Sequence, residues 1–270
     1  MEETIITSTQ NAKVKHVVAL QQKSALRRKE GLFVVEGRRE LIHCLEAGYK
    51  VIECFILENL ERLDNLENLE ILETLENLSP LFPVSPQVYE KMAYRGSTEG
   101  VIAVVREKQL SLDDLRLSSN PLVIVLERVE KPGNLGAVLR SADAAKADAV
   151  IICDPLTDLY NPNLIRSSIG AVFSVPCVAC SSEACIAFLK ARGIQILTAQ
   201  LQDSSLYYDT DMRRGTAIVM GTESTGLTDQ WRQAADAHIR IPMLGKLDSL
   251  NVSVSAAILL FEAVRQRQSK

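Results

Sequence analysis

The sequence of 270 residues lacks a long apolar run. The segments that come nearest, such as Ala256 to Phe261, fall far short of the roughly 18 residues that a membrane-spanning helix needs. Met1 to Gln10 is polar and contains two glutamates, so it lacks the positively charged start and apolar core of a secretory signal peptide. We therefore expect no membrane segment and no secretion, and we expect a cytoplasmic protein.

Histidine is scarce, with three in the chain, and none of them stands at metal-ligand spacing. Six cysteines, most of them inside apolar segments, are expected to be reduced and buried in a chain without an export signal. Cys177 and Cys180 form a C-x-x-C pair, which leaves zinc or redox chemistry as an alternative. No second pair follows, and we predict no metal site.

An excess of positive charge is also absent, because the sequence has 30 basic and 34 acidic side chains and its net charge is −4. Bulk charge therefore argues mildly against a nucleic-acid-binding protein. The charges are unevenly spread, however, since lysine and arginine crowd residues 13–39 while residues 58–76 are almost purely acidic. We expect basic residues such as Arg27 and Arg28 to dock RNA phosphates, although a solvated helix surface explains the same pattern.

The composition, 47% hydrophobic and 24% charged, is typical of a folded chain with one large domain or two modest ones. Strand patterns at Val51 to Leu57 and from Gly100 to Val105 predict a small α/β domain over residues 1–106. Residues 107–120 are polar and run into a proline, which predicts a linker. Residues 121–270 then form the second predicted domain.

Leucine recurs every third residue between Leu60 and Leu78, with acids and asparagines between. A three-residue repeat drifts around a helix, so no single face collects the leucines. We interpret residues 58–78 as a mostly helical expansion without chemistry, and a leucine zipper is a disfavoured alternative.

Strand and helix patterns alternate after Pro121, which predicts a parallel sheet with helices on both faces. The predicted strands are Leu122–Leu126, Ala149–Cys153, Val172–Val178, Ile194–Ala199, Ala217–Met220 and His238–Ile241. The predicted helices are Leu135–Lys146, Leu164–Ser168, Glu183–Arg192, Trp231–Ala235 and Val252–Arg267. Ligands of such sheets bind beyond the carboxyl ends of the strands, so the candidate site is expected in the loops there.

Two of these loops are rich in glycine and imitate nucleotide-binding motifs. The loop from Glu130 to Gly136 lacks the full G-x-G-x-x-G fingerprint of dinucleotide binding, which leaves a nucleotide-binding oxidoreductase as a weaker alternative. The loop from Gly221 to Gly226 has the glycine spacing of a phosphate-binding P-loop, but the lysine that should follow is missing. A nucleotide hydrolase is therefore disfavoured.

The third loop, Ile241 to Asn251, leads into the last predicted helix. Ser249 in this loop is compatible with a simple helix cap. That interpretation accounts for the serine alone and leaves the coincidence of three distinctive loops unexplained.

Together the three loops resemble the motifs of the SpoU/TrmH family of RNA ribose methyltransferases, part of the SPOUT class. The motifs read PGNLGAVLR at Pro132 to Arg140, VMGTESTG at Val219 to Gly226, and IPM at Ile241 to Met243 followed by SLNVSVS from Ser249. Near the N-terminus, FVVEGRREL from Phe33 resembles the ribosomal-protein-like RNA-binding domain of many members. Lys131 departs from the acidic residue of many members, which bears on the RNA substrate more than on the chemistry.

The resemblance implies an enzyme that transfers a methyl group from S-adenosylmethionine to a ribose 2′-hydroxyl of RNA. It implies the catalytic residues Arg140, Asn134, Glu223, Ser249 and Asn251, and the cofactor-binding residues Gly221, Ile241, Leu250, Met220 and Met243. It further implies ribosomal RNA as substrate, a homodimer, and a deep trefoil knot formed by the chain from Thr198 through Met220 to Ser249. Transfer RNA as substrate, or a non-catalytic RNA-binding protein of the same fold, are the alternatives, and a surface ion pair is the simpler role for Arg140.

Overall fold

The computed structural model describes residues 5–58, 75, 77–94, 99–222 and 225–268. The chain divides into two compact units. The first unit combines residues 1–108 with residues 158–170, and the second combines residues 109–157 with residues 171–270. Most of the leucine repeat at 58–78, with the expectation attached to it, lies outside the described residues. In the part of the chain that is described, no helix is long and apolar enough to cross a membrane.

The first unit is built on a four-stranded sheet with strand order β1-β4-β2-β3. Its strands are β1 (Leu32–Glu36), β2 (Val51–Leu57), β3 (Leu81–Val84) and β4 (Val101–Arg106), and its helices are α1 (Ala12–Gln22), α2 (Ser24–Glu30), α3 (Arg38–Glu46), α4 (Pro86–Met92) and α6 (Pro162–Ser168). Asn11 caps α1 by accepting from the backbone N–H of Lys13 at 2.9 Å. The first unit thus combines a four-stranded sheet with helices.

Arg27 contradicts the expectation that it docks RNA. Its side chain is only 4% exposed, and Nη2 donates to Oδ2 of Asp158 at 2.5 Å. Nη1 donates to the carbonyl oxygens of Leu20, at 2.5 Å, and Gln21, at 3.0 Å. Because the Arg27 guanidinium forms its hydrogen bonds inside the first unit, the prediction that Arg27 binds RNA phosphates is wrong. The same prediction for the exposed Arg28 stays a prediction.

The second unit contains a seven-stranded sheet with strand order β7-β6-β5-β10-β8-β11-β9, and its strand pairs are parallel. Its strands are β5 (Leu122–Glu127), β6 (Ala149–Cys153), β7 (Cys177–Cys180), β8 (Gln195–Ala199), β9 (Ser205–Leu206), β10 (Thr216–Met220) and β11 (Ala237–Arg240). Its helices are α5 (Pro132–Ala144), α7 (Ala171–Ser174), α8 (Ser182–Ala191), α9 (Asp229–Ala234) and α10 (Val252–Gln268). The predicted parallel α/β fold is confirmed.

One predicted strand is wrong in part. The apolar run from Val172 to Val178 begins as helix α7 and becomes strand β7 only at Cys177. A short apolar run fits a buried helical turn and a buried strand equally well, so its pattern could not separate the two. Pro176 stands at the change, where a residue without a backbone N–H interrupts the helix.

The core of the second unit lies between its sheet and the helices that cover it. Val123 and Val125 of β5 and Val219 of β10 face Phe188 of α8 and Trp231 of α9, and all five are buried. Helix α10 packs against α5 and also against β5 and β10. Part of the segment predicted as a linker belongs to this unit, since Leu115 lies in the same core. The packing fixes where the loops at the carboxyl ends of β8, β10 and β11 meet.

Candidate active site

A cleft of about 380 Å³ opens at the carboxyl ends of three adjacent strands, β10, β8 and β11. Three loops line it: the one after β8, the one after β10 and the one that leads from β11 to α10. The volume lies in the range of about 300 to 1,000 Å³ that is usual for small-molecule sites. The cleft therefore stands at the edge of the sheet where the strand order predicts a ligand.

The residues predicted to bind the cofactor come together in this cleft. They are Met220, Gly221, Ile241, Met243 and Leu250, and all of them line it. Ser249, predicted as a catalytic residue, lines it too. Glu223 lies outside the described residues, so its predicted role stays a prediction.

Gly221 occupies a position that only glycine fits. A Cβ atom there would lie 2.3 Å from the carbonyl carbon and oxygen of Gly226 and 2.6 Å from the backbone nitrogen of Leu227. Thr222 and Gly226 also form a bridge, with the N–H of Gly226 donating to the carbonyl of Thr222 at 3.1 Å. The loop after β10 therefore folds back on its own first residue, which brings the backbone to the surface of the cleft.

A buried carboxylate holds the far end of this loop. Glu127, at the end of β5, is 1% exposed and accepts from the N–H of Thr228 at 2.9 Å and from its hydroxyl at 2.6 Å. Ser182 donates its hydroxyl proton to Asp154 at 2.6 Å and accepts from the indole N–H of Trp231 at 3.0 Å, and its oxygen lies 3.4 Å from the Glu127 carboxylate. The sequence analysis did not single out Glu127. The one feature of the sequence that could have indicated it is an acidic residue at the end of an apolar strand.

Asn134 and Asn251 are joined by the fold. The side-chain amide nitrogen of Asn251 donates to the side-chain Oδ1 of Asn134 at 3.1 Å, which ties the first turn of α5 to the start of α10. The other end of the Asn251 side chain accepts from the N–H of Ser253 at 2.9 Å, as a helix cap does. The cap of α10 is therefore Asn251, and the interpretation of Ser249 as that cap is wrong; the Ser249 hydroxyl donates to Asp248 at 3.4 Å instead.

Arg140 lies on the same helix as Asn134 and is exposed. It forms no ion pair with another described residue, so the simpler role of a surface ion pair has no support within that part of the chain. Arg140 is not among the residues that line the cleft. An exposed, uncommitted guanidinium is suited to a substrate phosphate or a developing negative charge.

The cysteines that lie close together in the structure are not the two of the C-x-x-C pair. Cys177 is buried, whereas Cys180 lies with Cys153 and Cys185 so that the three sulfur atoms are within 4.8 Å of one another. Hydrogen bonds from Cys153 and then Cys185 lower the pKa of Cys180, while burial raises the pKa of Cys177 to about 12. The thiol cluster Cys153–Cys180–Cys185 has the donor atoms for a soft metal ion, and sequence spacing did not indicate it.

Two of the three motif loops, those after β10 and β11, line one cleft at the edge of a parallel α/β sheet, and Asn134 of the first motif is hydrogen-bonded to Asn251 of the third. This arrangement is the one expected for the class that the motifs predicted, the RNA methylases. The sequence model of the SpoU rRNA Methylase family matches residues 121–261, and that of the MRM3-like substrate binding domain matches residues 11–103. The chain belongs to the SpoU rRNA methylase family, and the predicted family is confirmed.

Three relatives give the extent of the likeness. The chain is 35% identical over 176 residues to the 23S rRNA (uridine(2479)-2′-O)-methyltransferase of Streptomyces viridochromogenes, an alignment that covers 63% of this chain and 61% of that protein. It is 37% identical over 182 residues to the 23S rRNA (guanosine-2′-O-)-methyltransferase RlmB of Pseudomonas putida, covering 65% and 73%. The crystal structure of an AdoMet-bound rRNA methyltransferase from Sinorhizobium meliloti is 28% identical and matches with a TM-score of 0.87, covering 98% of this chain and 99% of that one.

Proposed function

We propose that this protein is an S-adenosylmethionine-dependent RNA 2′-O-ribose methyltransferase that acts on ribosomal RNA. The observation that carries the proposal is the convergence of the predicted cofactor residues in one cleft, next to a helix that presents Arg140. Family membership and relatives that methylate the ribose of 23S rRNA support the same substrate.

The residues of the cleft fit S-adenosylmethionine. Met220 and Met243 supply apolar walls, and the close approach at Gly221 exposes backbone groups that can bind polar edges of the cofactor. Arg232 adds a cation whose buried Nε has no hydrogen-bond partner in the described part of the chain, which suits a ligand with an acidic end. When bound, the cofactor supplies a methyl group on a positively charged sulfur.

The protein must hold the ribose in line with that methyl group and remove the proton of a weakly acidic hydroxyl. Positioning alone supplies a large part of the acceleration in such reactions. A guanidinium keeps its proton at neutral pH, so Arg140 is unsuited to act as the base. Arg140 instead holds the target phosphate and stabilises the negative charge that develops on the ribose oxygen, while water or a neighbouring acceptor takes the proton.

The other motif residues position Arg140 and the ribose. The hydrogen bond between Asn251 and Asn134 fixes the first turn of α5 relative to α10, and Arg140 follows on α5. Ser249 presents its hydroxyl at the cleft, and Glu223 belongs to the loop after β10. We assign both to orienting the ribose.

The path of the chain supports a trefoil knot at Thr198, Met220 and Ser249. Strand β10 lies between β5 and β8, the chain then runs out to β11, and α10 returns to pack on α5, β5 and β10. A chain can thread through one of its own loops when it runs to one edge of a sheet and then returns to pack on its earlier strands. Most folds avoid such threading. The knotted loops are those that line the cleft.

A homodimer that pairs through the second unit is supported by an apolar surface on α10 and the loop before it. Val254 and Phe261 of α10 are about half exposed, at 47% and 48%, and Leu244 is 96% exposed. Large apolar side chains exposed close together mark surfaces that other chains cover. Light scattering at micromolar concentration should give twice the 29.8 kDa of one chain, and a monomer alone contradicts the dimer.

The first unit is the part assigned to RNA binding, through exposed basic residues such as Arg28. Reversing the charge at Arg28 should weaken RNA binding and flatten its salt dependence while sparing cofactor affinity. Equal RNA affinity and salt dependence in the variant would remove Arg28 from the interface. The protein is proposed to work in the cytoplasm, where ribosomal RNA is modified.

The division of labour is tested by Arg140→Ala. We expect methylation of RNA to fall by at least about 100-fold, because an electrostatic contact to the transition state is lost, with S-adenosylmethionine affinity within about two-fold of the original. Arg213→Ala is the matched control, since Arg213 is an exposed arginine of the same unit that pairs with Asp211. Normal turnover in Arg140→Ala would remove Arg140 from the catalytic centre.

A further inference from the structure

Arg232 is a charged residue of the cleft that the motifs do not include. It lies on α9, its side chain is 40% exposed, and it lines the cleft together with residues from the loops after β8 and β10. Its Nε is buried and has no hydrogen-bond partner among the residues that the structure describes. A buried donor without a partner is costly, which makes it a sign that a ligand completes the site.

The guanidinium of Arg232 is otherwise weakly engaged. Within the described part of the chain, its one ion pair joins Nη1 to Oδ1 of Asp229 at 3.9 Å, and the Asp229 side chain is 85% exposed. Exposed pairs at this distance contribute little. The other arginine of the cleft, Arg240, differs because its Nη1 already donates to the hydroxyl of Ser204 at 3.3 Å.

The chemistry of the cofactor names the group that Arg232 can bind. S-adenosylmethionine carries two positive charges, on the sulfonium and the ammonium, and a single negative one, on the α-carboxylate. A guanidinium is attracted only to the carboxylate and offers it parallel N–H donors. We propose that Arg232 binds the α-carboxylate of the cofactor and so sets which end of the amino-acid portion faces α9. This inference rests on the proposed function.

The test is calorimetry of the full-length protein and its Arg232→Met variant with three ligands. S-adenosylmethionine and S-adenosylhomocysteine both carry the carboxylate, whereas 5′-methylthioadenosine keeps the nucleoside and lacks the amino-acid portion. We expect the variant to bind the first two about 10-fold to 100-fold more weakly, the range for a lost hydrogen bond to a charged group. Its affinity for 5′-methylthioadenosine should stay within about two-fold of the original.

Two further variants make the pattern specific. Arg240→Met removes the other arginine of the cleft, and Asp229→Asn removes the exposed partner of Arg232. Neither variant should weaken the binding of S-adenosylmethionine and S-adenosylhomocysteine more than it weakens the binding of 5′-methylthioadenosine. Arg232→Lys should recover part of the lost affinity, since a lysine keeps the charge but not the fork of donors. If Arg240→Met showed the selective loss instead, the assignment to Arg232 would be wrong.

The outcomes separate the inference from the proposed function. If the unaltered protein binds S-adenosylmethionine and Arg232→Met binds it equally well, only the inference is overturned. If the variant loses affinity for all three ligands alike, Arg232 shapes the cleft without binding the carboxylate, which also overturns it. If the unaltered protein does not bind S-adenosylmethionine, the proposed function falls as well. Thermal unfolding of Arg232→Met and Arg232→Lys checks that both variants are folded.

Discussion

Replacing Gly221 with alanine perturbs the candidate site by a single methyl group. The new Cβ would stand 2.3 Å from two backbone atoms of Gly226 and 2.6 Å from the nitrogen of Leu227, where ordinary contacts are 3.4 to 4 Å. Backbone atoms cannot rotate away as a flexible side chain can, so the segment at Gly226 has to retreat by about 1 Å. That segment lines the cleft, so the change acts on cofactor binding as well as on folding.

The size of the effect follows from the overlap. Overpacking of this kind costs about 1 to 3 kcal/mol of folding free energy, which corresponds to a fall in Tm of roughly 2 to 12 °C. Displacing a binding loop by about 1 Å is expected to reduce the rate of methyl transfer by about 100-fold. Calorimetry with S-adenosylmethionine should also show weaker binding in the variant that remains folded.

Gly133→Ala is the matched control, because a Cβ at Gly133 meets nothing within 4 Å and the residue lies in the first turn of α5. It should be neutral, or stabilising by up to about 1 kcal/mol through its helix propensity. If Gly221→Ala keeps the Tm, the cofactor affinity and the transfer rate of the unaltered protein, the reasoning about the close approach is refuted.

Two further predictions concern other parts of the chain. Arg27→Ala should lower the free energy of unfolding by about 3 to 5 kcal/mol, because it leaves the carboxylate of Asp158 without its cation. Arg28→Ala, the control, should change the free energy of unfolding by less than about 0.5 kcal/mol. Urea unfolding measures both values, and equal values would contradict the buried ion pair. In the native protein at pH 7, iodoacetamide should label Cys180 before Cys177, since Cys180 is partly exposed and its pKa is lowered by hydrogen bonds, whereas Cys177 is buried and its pKa is raised to about 12. Peptide mass spectrometry follows the labelling, and faster modification of Cys177 would contradict this order of reactivity.

Local patterns predicted the elements of the second unit well. Strand β6 has the predicted bounds of Ala149 and Cys153, because a buried run flanked by turns leaves few alternatives. Helix α5 begins at Pro132, three residues before the predicted start at Leu135, although proline is favoured in the first turn of a helix. The residues expected to bind the cofactor were inferred from the resemblance to the family motifs, and the fold brings them together in one cleft.

Contacts between distant parts of the chain could not be predicted in the same way. The burial of Arg27 depends on Asp158, which lies 131 positions away and gave no local sign of its partner. Glu127 and Thr228, and likewise Asn134 and Asn251, meet only because β5 and β10 are neighbours and α10 packs on α5. Arg232 carried no motif, since its place in the cleft follows from the position of α9 rather than from its sequence neighbours.

The most direct test of the central claim is methyl transfer itself. Purified protein is incubated with 23S rRNA or with transfer RNA, in each case with isotopically labelled S-adenosylmethionine, and the RNA is digested to nucleosides for mass spectrometry. We predict a single 2′-O-methylated nucleoside from the ribosomal RNA, little label in transfer RNA, and no label with Arg140→Ala. A label on a base, or no transfer to ribosomal RNA by a protein that binds the cofactor, would contradict it.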